Sequence, residues 1–87
     1  MGMGMGIDYR GLRSLTAKEL IAALERDGFQ FARQKGSHQR YWHSDGRRVT
    51  VAPHGRGATF NVKTLKSIIE VQARWNDEDL RRLGLIK

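Results

Sequence analysis

Between Arg33 and Arg40 the sequence reads Arg-Gln-Lys-Gly-Ser-His-Gln-Arg, which sets one imidazole among three permanent cations. Phosphates are held by fixed cations, and backbone N–H groups at a Gly-Ser turn add further donors. Breaking an RNA strand calls for a base at the 2′-hydroxyl or an acid at the departing 5′-oxygen. An imidazole titrating near neutrality serves in either role. His38 is therefore the candidate catalytic residue, with Arg33, Lys35, Gly36, Ser37 and Arg40 placed to hold a phosphate beside it. The same spacing also fits a histidine that is merely polar surface at a hairpin.

The elements that must position these residues can be read from their ends. Thr16 and Glu19 make the S/T-x-x-E capping box of a helix start, and Leu15 and Leu20 have the spacing of a hydrophobic staple. Leu20, Ile21 and Leu24 form an apolar stripe, and Gly28 supplies a left-handed stop, so a helix is expected over 17–27. Three strands follow, over 29–35, 38–43 and 47–53. Gly36-Ser37 separates the first pair and Ser44-Asp45-Gly46 the second, as in antiparallel hairpins. A glycine-containing loop spans 54–61. A second helix over 62–74 starts at an Asn61 cap, and a third over 77–83 follows Asn76 with acids first and arginines last. The expected fold is α+β: a three-stranded antiparallel sheet with helices packed on one face, in the order α-βββ-α, plus a short C-terminal helix.

Pairing arithmetic turns this order into a geometry. With Gly36-Ser37 as a two-residue loop, Lys35 faces His38, Arg33 faces Arg40 and Phe31 faces Trp42. With Asp45-Gly46 as the second tip, Trp42 faces Val49, Arg40 faces Val51 and His38 faces Pro53. Paired residues share a face. Phe29, Phe31, Trp42, Val49 and Val51 then form the helix-covered face, whose far end carries Arg33, Lys35, His38 and Arg40. Two arginines opposite one another repel, so either that end is an open basic patch or the register is off by one.

The register also ranks the remaining candidates. His54 follows Pro53 and would approach His38, although a solvent-facing loop histidine is the simpler reading. His43 falls on the face opposite His38, which argues against a three-histidine metal site. Trp42 reads as core rather than as a base-stacking platform. Tyr41, on the other face, either stacks or packs. Lys63 and Lys66, with Arg47, Arg48 and Arg56, either track a polyanion backbone or are plain solvated charge.

Composition bounds the rest. Sixteen Lys and Arg against nine Asp and Glu leave a net charge of +7 on 87 residues, which attracts nucleic acid or an anionic membrane surface. There is no cysteine, hence no disulfide framework and no thiolate metal site. No apolar run nears the roughly 18 residues that span a bilayer, and nothing reads as a cleavable signal, so a cytoplasmic protein is expected. The opening Met-Gly repeat has no structural period. Residues 1–14 are read as a disordered leader and 15–87 as a single domain.

From Leu15 to Lys87 the chain resembles the HicA (YcfA-like) mRNA-interferase toxins. The resemblance is carried by LTAKELIAALERDGF, RQKGSH, GRRVTVAPHG, TLKSII and EDLRRLGL, in that order. It implies a fold like a double-stranded-RNA-binding domain, endoribonuclease action on messenger RNA, neutralisation by a HicB-type antitoxin, and catalysis by the histidine of GSH, here His38. No cofactor is implied. Two departures stand out. Toxins of this type often carry a glycine just before the Thr-Leu of the second helix, where this chain has Lys63. The tail after Trp75 adds a third helix that shorter members lack. Beside the nuclease reading stand two others, a non-catalytic RNA-binding module and a protein whose basic face recognises an acidic partner.

Overall fold

The structure, a computed structural model, describes residues 6–86. The first long helix, α1, runs Ala17–Arg26 with the expected reciprocal cap: Thr16 accepts from the Glu19 N–H while the Glu19 carboxylate accepts from the Thr16 N–H. Its first two amides, on Ala17 and Lys18, donate to the carbonyls of Ala58 and Arg56 at 2.8 and 3.0 Å. The glycine-containing loop therefore satisfies helix-end donors that would otherwise face water. Gly28, at φ +103°, ends the helix and turns the chain into the sheet.

The strands are β1 (Gln30–Lys35), β2 (His38–Trp42) and β3 (Arg48–Val51), in sheet order β1-β2-β3 and all antiparallel. Lys35 pairs with His38 and Arg33 with Arg40, as the two-residue loop requires. Beyond Arg33 the register shifts at a bulge, so Phe31 pairs with Tyr41 rather than with Trp42. The second hairpin also departs from expectation. Tyr41 pairs with Val49 and Gln39 with Val51, one residue out from the expected pairs. The cause is the turn: His43 N–H donates to the Arg47 carbonyl, which leaves a three-residue loop, Ser44-Asp45-Gly46, with Gly46 in the left-handed region.

One residue of slip exchanges the faces. Tyr41 is 3% exposed and packs with Phe29, Val49 and Val51, whereas Trp42 is 41% and Phe31 54% exposed. The expected core membership of Trp42 is thus corrected, and Tyr41 takes the core position. Phe31, its ring 5.8 Å from that of Tyr41, shares the inner face but lies on the edge strand and is not core. Against the inner face lie Leu20 and Leu24 of α1 together with Leu65, Ile68, Ile69, Trp75 and Leu80. The α+β architecture is the expected one, with the helices covering a single face of the sheet.

The second helix is not uniform. An α-helical part, α2 (Val62–Lys66), is capped by Asn61 and continues as a π-helical stretch over Ser67–Gln72. The Ala73 N–H reaches back five residues to Ile68, and Arg74 closes the stretch at φ +59°. The wider turn lets Ile68, Ile69 and Ala73 all reach the core. Helix α3 (Asp77–Arg82) starts on an Asn76–Asp79 capping box. The leader expected over 1–14 does not extend through Tyr9–Leu12, which form a 3-10 turn with Tyr9 and Leu12 buried. Residues 1–5 lie outside the described residues.

Candidate functional site

Gly36 makes the first turn of the site. It sits at φ +60° and Ser37 has negative φ, the glycine-first pattern of a II′ hairpin turn. The Gln34 side-chain amide donates to the Gly36 carbonyl at 2.9 Å and braces the turn. His38 is the first residue after it. With the register of β2 against both neighbours, three ranks cross the outward face: Lys35 beside His38, Arg33 beside Arg40 beside Thr50, and Gln30 beside Trp42 beside Arg48. None of the three strands contains an acidic residue.

Arg33, Lys35, Gly36, His38 and Arg40 line one hollow on this face. His38 also lines a second, formed with Thr50, Ala52, Phe60 and the Lys63, Thr64, Ser67 side of the second helix. The imidazole is exposed and forms the wall between the two. Arg33, Lys35, Arg40 and Lys63 have no side-chain hydrogen bond or ion pair among the described residues. Unpaired cations around an open hollow attract anions strongly, because no internal carboxylate competes for them.

The cations at the other end of the sheet are differently employed. Arg47 pairs with Asp45 at 2.7 Å and with Asp27 at 3.1 Å, and its guanidinium lies over the Phe29 ring. It is part of the scaffold and not of the outward face. Asp27, whose side chain is 8% exposed, also accepts from the Trp75 indole and from Arg82, each at 2.8 Å. Burial would push its carboxyl up, but the bonds from Trp75 and Arg82 and the charge of Arg47 outweigh this and hold it below the usual range. His43, on the inner side, is held by the Asp27 carbonyl at 2.7 Å and packs edge-on to Phe29. Among the described residues no three His, Asp or Glu side chains converge as a metal site.

The family model described as the HicA toxin of bacterial toxin–antitoxin systems matches residues 17–75, more than half of the chain. The chain belongs to the HicA toxin family. A comparison with curated proteins gives no match. The matched span of this HicA-family chain takes in α1, the sheet and the second helix, and so both hollows around His38. Helix α3 and the 3-10 turn lie outside it.

Of the residues singled out in the sequence, the HicA-family fold gathers Arg33, Lys35, Gly36 and Arg40 around His38 and brings Lys63 to its other side. Ser37 stays in the turn and lines neither hollow. Lys66 points elsewhere, its ammonium 5.9 Å from the Tyr9 ring centroid. His54 is exposed and lines neither hollow. Thr50, Thr64, Ser67 and Gln72 were not singled out. The sheet register sets Thr50 beside Arg40, and only the placement of the second helix against β3 brings Thr64, Ser67 and Gln72 near His38, which no local motif announces.

Proposed function

We propose that this HicA-family toxin is an endoribonuclease acting on messenger RNA, with His38 as the general acid–base. What carries the reading is an exposed imidazole with no partner among the described residues, flanked by Arg33, Lys35 and Arg40, likewise unpaired among them, on an acid-free sheet face. In the step envisaged, the 2′-oxygen loses its proton and bonds to the adjacent phosphorus while the P–O5′ bond breaks. The 5′-oxygen takes up a proton, leaving a 2′,3′-cyclic phosphate and a 5′-hydroxyl end. His38 moves one of those protons, and the cations stabilise the charge gathering on the phosphoryl oxygens. Atoms balance with no co-reactant, and no metal is required.

The substrate class implies a protein working where messenger RNA is translated, in the cytoplasm. No helix among the described residues is long and apolar enough to cross a membrane. Membership of a toxin–antitoxin family brings an antitoxin as partner. A HicB-type protein that covers the basic face is the form proposed here.

The test is incubation of purified protein with long RNA in the presence of a chelator, wild type beside His38→Ala. Cyclic-phosphate ends and at least a hundredfold loss in the variant are expected, since a general acid–base contributes roughly 10²–10⁴-fold. Cleavage at the wild-type rate by folded His38→Ala would refute the assignment. Salt-sensitive RNA binding without products from the wild type would leave a binding module instead.

A further inference from the structure

The two tryptophans of the chain meet different fates. Trp75 is buried and bonded to Asp27, whereas Trp42 stands on the outward face with the Arg48 guanidinium 4.4 Å from its ring centroid. It shares strand β2 and one face with His38 and Arg40. Four residues of strand, at ~3.3 Å each, set the ring about 13 Å from His38. Arg33 and Arg40 lie between, as a pair of facing cations with no carboxylate to separate them. A strand of alternating phosphates and flat bases fits this order: a phosphate at His38, a phosphate at the arginine pair, and a base on the ring. An apolar protein ligand would gain nothing from the cations, and a bare polyanion nothing from the ring.

From this juxtaposition, and resting on the ribonuclease reading above, we infer that Trp42 with Arg48 stacks an unpaired RNA base set back from the scissile bond. The preferred substrate is therefore single-stranded. Bases in a duplex are already stacked on one another and cannot be laid on the ring without being pulled out. Trp42 is a binding residue and takes no part in the proton transfers.

The experiment is a titration of an unstructured oligoribonucleotide into His38→Ala protein, so that nothing is cut, followed by Trp42→Ala and Trp42→Phe in the same background. RNA is expected to quench the emission of Trp42 and leave that of Trp75 unaffected. Trp42→Ala should weaken binding by about five- to a hundredfold, as loss of one base stack does. Trp42→Phe should stay within roughly threefold of the parent, since a smaller ring still stacks. The dependence of binding on salt should be the same in all three, because the phosphate contacts remain. An abasic residue walked along the oligonucleotide should weaken the parent at one position and leave Trp42→Ala indifferent. RNA bound without quenching, and equally well by Trp42→Ala, overturns the stacking role while the ribonuclease reading stands. Absence of RNA binding at low salt overturns both.

Discussion

Arg10, Arg47 and Arg82 each close on an aspartate, whereas Arg33, Lys35 and Arg40 close on nothing among the described residues. Cations without an internal partner add little to stability and can be exchanged at small cost. Arg33→Gln together with Arg40→Gln should leave the melting temperature nearly unchanged. The slope of log affinity against log salt should fall by about 1.4, since each cation contact to a single strand contributes ~0.7. A salt titration with RNA checks this, and an unchanged slope would remove both arginines from the site. At this scale the sequence was informative where turn length was unambiguous. Gly36-Ser37 fixed Lys35 beside His38 and Arg33 beside Arg40, since only a two-residue loop fits there. Trp42 was misassigned because its side depends on the next turn along, and because a large ring is core more often than surface.

Among the elements, the bulge in β1, the three-residue second turn and the π-helical stretch account for the departures from the expected sheet register and second helix. Each adds a residue to a regular repeat without changing the hydrophobic pattern that announces the element. Helix α1 was legible to within a residue because its cap is written in side chains. Thr16→Ala should cost about 1 kcal/mol in denaturant unfolding by removing that cap, with RNA cleavage retained. At the end of the π-helical stretch Arg74 adopts a left-handed backbone that side chains resist. Arg74→Gly should therefore stabilise the protein by up to about 1 kcal/mol, measured by the same unfolding curves. Destabilisation would mean that the arginine side chain contributes more than its backbone costs.

For the molecule as a whole, Asp27 is the joint. Its carboxylate binds Trp75, Arg82 and Arg47, and its carbonyl binds His43, so the end of α1, the β2–β3 turn and α3 meet at one residue. None of this was visible in the sequence, where Asp27 served only as the end of a helix. A carboxyl held below its usual range in the fold takes up protons more readily once unfolded. Its contribution is therefore present above about pH 4 and is lost as pH falls through its folded value. Asp27→Asn should cost about 1–3 kcal/mol at pH 7, and the difference from wild type should shrink at pH 3. Unfolding curves at the two pH values check it, and a pH-independent difference would assign the loss to packing alone.

The three-residue turn at Ser44-Asp45-Gly46 has a consequence for how such a chain tolerates change. Side chains alternate along β3, so the residue that sits opposite His43 decides which of them meet the core and which meet solvent. Closing the hairpin on Asp45-Gly46 with Ser44 opposite Arg47 would ask β3 to present Arg48 and Thr50 inward and Val49 and Val51 outward. Removing the codon of Ser44 forbids that slip, because the remaining Asp45-Gly46 tip keeps His43 opposite Arg47. Its descendants should therefore tolerate a shorter loop here, so long as those two residues stay partners.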